Sequence, residues 1–247
     1  MLTILYRDDR LVVIDKPSGW LVHRSNLDRG ETRILVQALR DQIGRHVFPP
    51  HRLDKGTSGV LLFALDKEAA QHLAGQFERQ EVRKTYLAVV RGWPPESGRI
   101  DHALVPVADA YAAQATDGAG VPQAALTDYC RLASAEFPVA VDRYPSSRYA
   151  LMALEPHTGR RHQLRRHMKH ISHPIIGDAT HGKGRHNRFF QERFACQRLL
   201  LHCLDLRFRH PDDERLLHIH APLGDQYAAV VTTLGWEEAV GRAALIR

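Results

Sequence analysis

The arrangement of apolar and turn-forming segments predicts an α+β fold for this chain of 247 residues. Short apolar runs separated by turn residues recur along the chain, and this pattern is typical of strands joined as hairpins. Apolar residues at helical spacing occur in few places and do not alternate regularly with the strands. These observations favour an α+β fold over a doubly wound sheet, and the length suits one large domain or two small ones.

The strands are predicted from apolar runs that are bounded by turn signals. The run at residues 60–65 is apolar without interruption, as expected for a strand buried on both faces. The last two strands flank the turn at residues 211–214, which indicates a hairpin. In chain order, the predicted strands are residues 2–6, 11–15, 60–65, 84–91, 126–132, 149–155, 201–209 and 215–220.

Three segments with apolar residues at helical spacing are predicted to be helices. The first covers residues 31–43, and the second follows Asp66, a suitable N-cap, to about residue 80. The third covers residues 160–170 and is strongly basic. Two further segments are predicted to be exposed loops because one is rich in Ala and Gly and the other is basic: residues 109–125 and 182–191.

Positive charge is concentrated between residues 143 and 210, although the whole chain carries a net charge of +6. That region has 14 Lys and Arg residues against 4 Asp and Glu residues, a net charge of +10, which leaves −4 for the remainder. A focused positive face attracts polyanions such as nucleic acids. An ordinary solvated basic surface is the alternative that the sequence leaves open.

Composition excludes several classes of protein. Hydrophobic residues make up 44% of the chain and charged residues 25%, an ordinary globular balance. No apolar run has membrane-spanning length, and residues 1–9 lack the apolar core of a signal peptide. Three cysteines are too few for a disulfide framework and indicate a reducing cytoplasm. The 16 histidines show no compact zinc-binding spacing, so we expect no metal site.

Asp54 is the first candidate for chemistry. It lies in residues 51–59, a segment of basic and small polar side chains that leads into the apolar run at residues 60–65. Nearby cations would favour its ionised form, and Gly56 and Gly59 would let a substrate backbone approach closely. The alternative is an ordinary strand-entry loop in which Asp54 is a cap or forms a salt bridge.

The basic helix is the second candidate. Arg161, Arg165 and Lys169 recur every four residues and form a like-charged row, which is mildly destabilising in isolation. Such a row becomes favourable opposite phosphates or a buried carboxylate, because the planar guanidinium bonds both oxygens. A solvated helix face is the alternative.

Tyr86 is the third candidate. In a strand over residues 84–91, it shares one face with Lys84. A tyrosine that faces a cleft can stack on a nucleobase while its hydroxyl forms a hydrogen bond. The alternative is a half-buried aromatic residue of an ordinary strand.

Six segments that span nearly the whole chain resemble, in the same order, the motifs of the RluA-type pseudouridine synthases. They are Lys16-Pro17-Ser18-Gly19, His51-Arg52-Leu53-Asp54 with Thr57-Ser58-Gly59, Lys84-Thr85-Tyr86-Leu87-Ala88, Gly159-Arg160-Arg161-His162-Gln163-Leu164-Arg165, His173-Pro174-Ile175-Ile176-Gly177-Asp178 and Leu199-Leu200-Leu201-His202. The pairs Arg160-Arg161 and Arg165-Arg166 depart from the family pattern, which has a smaller or apolar residue at one place of each pair.

The resemblance implies the pseudouridine synthase catalytic fold, with a mixed, largely antiparallel sheet and flanking helices and loops around a central cleft. It implies a single catalytic domain over residues 1–247, without an N-terminal S4-like module. It also implies isomerisation of uridine to pseudouridine without a cofactor, with Asp54 as the catalytic carboxylate. Arg165 would pair with Asp54, and Tyr86 would stack on the uracil and could also relay the C5 proton that is lost after C1′ joins C5.

The same resemblance implies RNA contacts. Arg52 would help occupy the space that the extruded nucleotide leaves. The other residues expected at the substrate are Lys16, Arg160, Arg161, Gln163 and Arg166. RNA selection is expected in three loops, at residues 24–33, 109–125 and 183–193.

The resemblance favours a tRNA substrate, with uridine-65 of the T stem as the expected target, and a monomer without a membrane or an obligatory protein partner. One alternative is a 23S rRNA pseudouridine synthase of the same family. Another is a non-catalytic RNA-binding or chaperone module. The second alternative is weakened by Asp54, Tyr86 and Arg165, because a pure binder has no need of a carboxylate in an anion-attracting cleft.

Overall fold

The computed structural model describes residues 1–23, 32–106 and 120–243. Within these ranges the chain forms nine strands and six helices. In chain order they are β1 Thr3–Arg7, β2 Leu11–Lys16, α1 Leu35–Ile43, β3 Ser58–Ala64, α2 Lys67–Glu78, β4 Arg83–Arg91, β5 Ser97–Asp101, β6 Leu126–Phe137, β7 Ser147–Pro156, α3 Gln163–His170, α4 Gly184–Phe194, β8 Leu201–Arg209, β9 Leu216–His220, α5 Asp225–Thr233 and α6 Glu237–Ala243.

The strands form one mixed sheet in the order β1-β2-β3-β8-β4-β7-β6-β5, with β9 paired to the second half of β8. The named strands of the described ranges pair antiparallel except β3 and β8. That parallel contact is short, with Ser58 opposite His202 and Gly59 opposite Cys203. It joins the first and second halves of the chain at the start of β3. The predicted α+β fold with a largely antiparallel sheet is confirmed.

The sheet is buried on both faces, so it separates two hydrophobic cores. Along β4, Tyr86 and Ala88 belong to one core, whereas Leu87 and Val89 belong to the other, as the alternation of a strand requires. Helices α1, α2 and α3 contribute to the first core, and α4, α5 and α6 contribute to the second. The start of β3 and the start of α3 therefore meet on the first face.

Each predicted strand is present, with its ends shifted by a few residues. The predicted N-cap is also confirmed, because the carboxylate of Asp66 accepts a hydrogen bond from the backbone N–H of Ala69 at 2.9 Å. The basic helix begins at Gln163 rather than at residue 160, since His162 has a left-handed backbone with φ of 54°. The helix expected over residues 31–43 runs over Leu35–Ile43 in the structure.

The loop predicted at residues 182–191 is wrong, because this segment forms most of α4. The segment is held in a helix because its aromatic side chains pack in the core. The ring centres of Phe189 and Phe190 lie 5.8 Å and 4.8 Å from that of Tyr149. Phe190 is 1% exposed. The basic side chains of α4 lie on its outer face, which explains why the segment resembles an exposed loop in sequence.

Strand β5 and helices α5 and α6 were not predicted from the sequence. Of the loops expected to select RNA, residues 24–31 and 109–119 lie outside the described residues, and residues 183–193 lie largely in α4. Among the described helices, none combines the length and apolar character that crossing a membrane requires.

Candidate active site

Asp54 lies in the loop that precedes β3, where the backbone N–H of Thr57 donates to the carbonyl of Asp54 at 3.1 Å and forms a turn. The side chain of Asp54 is 25% exposed, so a substrate can reach it. The segment at residues 16–19 supports this loop from behind. Its backbone and side chains donate hydrogen bonds to carbonyls of the loop, and these bonds fix the position of the Asp54 carboxylate.

Lys16 is fully buried, and its Nζ donates to the carbonyls of Pro17, Lys55 and Thr57 at 3.1, 3.2 and 2.8 Å. The hydroxyl of Ser18 donates to the carbonyl of Gly56 at 2.7 Å. Burial lowers the pKa of Lys16 to about 7. The structure thus places Lys16 behind the Asp54 loop, as a group that positions it, and not on a surface that RNA could contact.

Arg165 bridges two carboxylates. One guanidinium nitrogen, Nη1, donates to Oδ2 of Asp54 at 3.0 Å. Its Nε and Nη2 donate to the two oxygens of Asp178 at 2.7 and 2.9 Å, which is the bidentate geometry that guanidinium favours. The carboxylate of Asp178 is buried and also accepts from the backbone of Thr180 and His181 at 2.9 and 2.8 Å. Asp178 therefore anchors Arg165, and Arg165 in turn holds Asp54.

His162 is a second neighbour of Asp54. Its Nε2 lies 3.9 Å from Oδ1 of Asp54, and its Nδ1 lies 3.1 Å from Nε2 of His181. Burial lowers the pKa of His162, and the charge of Asp54 offsets this only in part. A neutral imidazole therefore stands between Asp54 and the loop that follows Asp178.

Tyr86 lies on β4 and lines a cavity of about 520 Å³ together with Lys84 and Asp54, so the expectation that Lys84 and Tyr86 share a face is confirmed. Tyr86 is 8% exposed, and its hydroxyl forms a hydrogen bond with the thiol of Cys203. Burial raises the pKa of Tyr86 well above its usual value, and the thiol and the charge of Asp54 act in the same direction. The phenol thus keeps its proton at neutral pH. Leu164 and Leu201 add apolar walls to the cavity.

Asp54 also lines a larger, open cavity of about 1440 Å³ on its other side. Arg52, Arg165 and His162 belong to the walls of both cavities. Arg161 lines the large cavity and does not line the smaller one. The carboxylate therefore stands where a smaller pocket next to a tyrosine meets a wider cleft, whose walls include Arg52 and Arg161 as well as several carboxylates.

The remaining residues predicted at the substrate are distributed differently. Arg160 and Arg166 are on the surface, where they donate to the carbonyls of Ala124 and Val105 at 3.1 and 2.9 Å. Gln163 is buried, and its side-chain amide bonds to Thr158, Arg160, Leu126 and Thr127. Gln163 thus ties the loop before α3 to the start of β6, and its amide is fully used within the protein.

The expected role of the glycines in this segment is wrong for Gly59. It has φ of 106°, and a Cβ there would lie 2.1 Å from the carbonyl oxygen of Cys203, so this glycine lets β3 pack against β8. A Cβ on Gly56 would lie 3.1 Å from the side chain of Leu199, and Gly56 also lines the large cavity.

Sequence reasoning assigned no role to Asp178 or His162, although both lie within segments that it singled out. The only signal for Asp178 was its place at the end of the segment at residues 173–178. Its contact with Arg165 is a long-range one that no local pattern reveals. Within the described residues, no group of His, Cys, Asp and Glu side chains is arranged to hold a metal ion.

A carboxylate oriented by an arginine, next to a buried tyrosine and at the edge of a wide cleft, is an arrangement typical of an enzyme site. The chain belongs to a family of such enzymes, because the family model described as RNA pseudouridylate synthase matches residues 10–170. That segment contains Asp54, Tyr86 and Arg165.

Two similar proteins carry the name of a pseudouridine synthase. The chain is 52% identical over 237 residues to the tRNA pseudouridine synthase C of Pectobacterium carotovorum, and the match covers 96% of the chain and 63% of that longer relative. It is 48% identical to the tRNA pseudouridine synthase C of Vibrio cholerae, with 97% of the chain and 98% of the relative covered.

Two solved human structures have the same fold. Human RNA pseudouridylate synthase domain containing 4 superposes with a TM-score of 0.69 at 27% identity, covering 94% of this chain and 93% of the human one. Human RNA pseudouridylate synthase domain containing 1 gives a TM-score of 0.68 at 28% identity, with 90% and 84% covered.

Proposed function

We propose that this protein converts a uridine of tRNA to pseudouridine, with Asp54 as the catalytic carboxylate and without a cofactor. The observation that carries the proposal is the position of Asp54 between the tyrosine-lined pocket and the wide cleft, held by Arg165 at 3.0 Å. The pocket has room for a base, and Arg52 and Arg161 in the cleft offer cations to the phosphates of the RNA that carries it.

The reaction breaks the bond between C1′ and N1 of uridine, turns the uracil, and joins C1′ to C5. The departing uracil takes the electron pair at N1, so positive character develops at C1′. A carboxylate beneath that carbon stabilises or captures it, as in glycoside hydrolysis. Asp54 lines the pocket next to Tyr86 and is held there by Arg165. Both an adduct at C1′ and a glycal formed by loss of a sugar proton are compatible with this placement.

After C1′ joins C5, the proton on C5 must leave and N1 must gain one. The raised pKa of Tyr86 argues against a phenolate as the acceptor of the C5 proton. The carboxylate of Asp54, free again once C1′ has joined C5, accepts this proton, and N1 takes one from water. We therefore assign Tyr86 to stacking on the uracil and to orienting it through the hydroxyl. Arg165 orients Asp54 through one nitrogen while its other nitrogens remain on Asp178.

The tRNA substrate rests on the relatives, whose names specify tRNA. Uridine-65 of the T stem is the proposed target. Arg52 lies at the mouth of both cavities and is proposed to fill the space of the extruded nucleotide, with Arg161 in the wide cleft and Arg160 and Arg166 on the adjacent surface. We further propose a monomeric, single-domain protein that acts in the cytoplasm, where its substrate is found.

The experiment compares the wild type with Asp54→Ala and, as a control, Asp9→Ala, whose exposed carboxylate lines none of the cavities described here. Each protein is incubated with unmodified tRNA and with a 23S rRNA fragment, and pseudouridine is mapped by carbodiimide primer extension. We expect modification of one T-stem uridine by the wild type and Asp9→Ala, and none by Asp54→Ala, which still binds tRNA.

Two other outcomes would replace the proposal. Modification of the rRNA fragment alone by the wild type would support the alternative of a 23S rRNA pseudouridine synthase. Binding of both RNAs without modification of either would support a non-catalytic RNA-binding module.

A further inference from the structure

A separate cavity of about 920 Å³ lies beyond the active site, on the far side of the segment at residues 178–183. Its walls come from the end of β4, the turn between β6 and β7, the end of α3 and the start of α4. None of the residues to which the proposed chemistry is assigned lines it. The catalytic proposal therefore leaves this cavity without a role.

The cavity is strongly basic. Five cationic side chains line it against the single carboxylate of Asp142: Arg91, Arg143, Arg148, Lys169 and Lys183. Asp142 is already neutralised, because Lys183 lies 3.1 Å and Arg185 3.4 Å from its oxygens. Among the described residues, no carboxylate pairs with Arg91, Arg143 or Lys169. Such an excess of unpaired positive charge suits an anionic ligand.

Two aromatic rings stand at the same cavity. Trp93 is 37% exposed and Tyr144 is 53% exposed, although both are large apolar side chains. The guanidinium of Arg148 lies 4.4 Å from the ring centre of Trp93, and that of Arg143 lies 4.9 Å from the ring centre of Tyr144. Exposed rings beside arginines are the arrangement that stacks unpaired bases and binds their phosphates.

His186 closes the inner wall of the cavity. It is 3% exposed, and its Nδ1 lies 2.9 Å from the hydroxyl of Tyr149. Its Nε2 has no hydrogen-bond partner within the described residues and is itself buried, so the ring packs behind the cavity surface. The charges and the exposed rings are therefore the features that a ligand would contact.

The cavity borders the cleft at Asp54, because Thr180 lines the cleft and the next residue, His181, lines this cavity. The row of cationic residues on this helix and the turn before it runs from Arg161 in the wide cleft, past Arg165 at Asp54, to Lys169 at this cavity. His181 lines the cavity and also contacts His162, the neighbour of Asp54. A polyanion bound in the cleft can therefore extend along α3 into the second cavity.

We propose that this cavity binds a segment of the substrate RNA outside the stem that carries the target uridine. An unpaired base of that segment stacks on Tyr144 or Trp93, and its phosphates are bound by Arg143, Arg91 and Lys169. The proposal rests on the proposed function for its substrate, and it adds a second anchoring point. A small anion or a free nucleotide could bind to the same cations and rings, but it would make no contact with the neighbouring cleft.

The test crosses two RNAs with three proteins. The RNAs are whole tRNA and an isolated T-arm stem-loop that carries the target uridine. The proteins are the wild type, the double variant Arg143→Glu with Tyr144→Ala, and Arg45→Glu, which makes the same charge change at an exposed arginine that lines none of the three cavities. KM is measured for each pair, and thermal unfolding confirms that all three proteins are folded.

We expect KM of the double variant for whole tRNA to rise about tenfold, because stacking and phosphate contacts are lost together. Its KM for the stem-loop should rise less than about twofold, and Arg45→Glu should resemble the wild type with both RNAs. A KM for whole tRNA equal to that of the wild type would overturn the proposal. So would an equal rise for both RNAs, since the cavity would then not bind a segment beyond the stem.

The alternative ligand has its own readout. AMP or inorganic phosphate that binds the wild type but not the double variant, without any change in KM for tRNA, would identify a small-anion site and reject the RNA assignment. If the wild type modifies neither RNA, the proposed function itself is contradicted. This outcome differs from every result in which only the double variant changes.

Discussion

At the scale of single residues, the proposed role of Asp54 depends on how its carboxylate is held in place. Arg165 is shared between Asp54 and Asp178, and it gives two of its three hydrogen bonds to Asp178. Because Asp178 is itself buried and held by two backbone N–H groups, it is the fixed end of the chain of contacts. We therefore regard Asp178 as a positioning residue for the carboxylate.

Asp178→Asn should lower the single-turnover rate on saturating tRNA by about tenfold to a hundredfold, because a displacement of about 1 Å at Asp54 is sufficient for such a loss. The Kd for tRNA should change less than about twofold. Asp213→Asn, at an exposed carboxylate paired with Arg215, is the matched control and should behave as the wild type. A large rise in Kd without a loss of rate would show that Asp178 serves RNA binding instead.

Tyr86→Phe keeps the ring that stacks on uracil and removes the hydroxyl that orients it. We expect turnover to fall at least about tenfold, whereas Kd for tRNA changes less than about twofold. Filter binding and single-turnover kinetics separate the two effects. Equal losses of affinity and turnover would contradict the assigned role, since they would indicate that the hydroxyl contributes only to binding.

At the scale of elements, the active site depends on the short parallel contact between β3 and β8. Gly59 sits at this contact, where its positive φ and the carbonyl of Cys203 leave no space for a side chain. The same two strands place Asp54 before β3 and Cys203, the partner of Tyr86, on β8. A shift between these strands would therefore separate the carboxylate from the tyrosine.

Gly59→Ala should lower the free energy of unfolding by more than about 2 kcal/mol, because it adds backbone strain to a clash with β8. Gly241→Ala is the control: it lies in α6, a Cβ there meets nothing within 4 Å, and a helix former should raise stability by up to about 1 kcal/mol. Urea unfolding measures both variants. A Gly59→Ala protein as stable as the wild type would show that the junction adapts.

At the scale of the whole molecule, buried neutral histidines make stability depend on pH. Burial lowers the pKa of His51 to about 3 and those of His186 and His202 to about 4. His202 is fully buried between Ser58 and the carbonyl of Ala221, at 2.7 and 3.2 Å. Each of these imidazoles binds a proton in the unfolded chain at a higher pH than in the folded protein.

This difference in pKa between the folded and unfolded states sets the direction in which stability changes with pH. Above about pH 6.5 neither state binds the extra proton, so the stability is fully present, and it is lost as the pH falls from about 6.5 towards 4. Between about pH 7.5 and pH 5, His202 alone should account for a loss of about 2 kcal/mol. Urea unfolding at the two pH values should show a smaller loss for His202→Gln than for the wild type. An equal loss in both proteins would contradict this assignment.

The asymmetric charge of the molecule sets its response to salt. The proposed RNA contacts include several cationic side chains, among them Arg52, Arg161 and the exposed Lys169, so binding of tRNA should release counterions from several phosphates. Affinity should fall at least about tenfold between about 50 mM and about 200 mM salt. Titration by filter binding measures the slope, and a flat response would contradict a binding surface built on charge.

The sequence by itself determined the fold class, eight of the nine strands that the structure describes, and the family, because these depend on local apolar patterns and on motifs that the chain carries in order. Asp54, Tyr86 and Arg165 were predicted from such motifs, and the structure brings them together at one pocket. Helix α4 was missed because its basic outer face obscured the phenylalanines that pack on Tyr149.

Only the tertiary structure decided what each polar group contacts. The contacts that join Lys16 to Thr57, Arg165 to Asp54 and Ser58 to His202 span 41, 111 and 144 residues. Local propensity carries no information about such pairs, because their partners are set by how β3, α3 and β8 pack. For that reason Lys16, expected near the RNA, lies behind the catalytic loop, and Asp178, to which the sequence assigned no role, anchors Arg165.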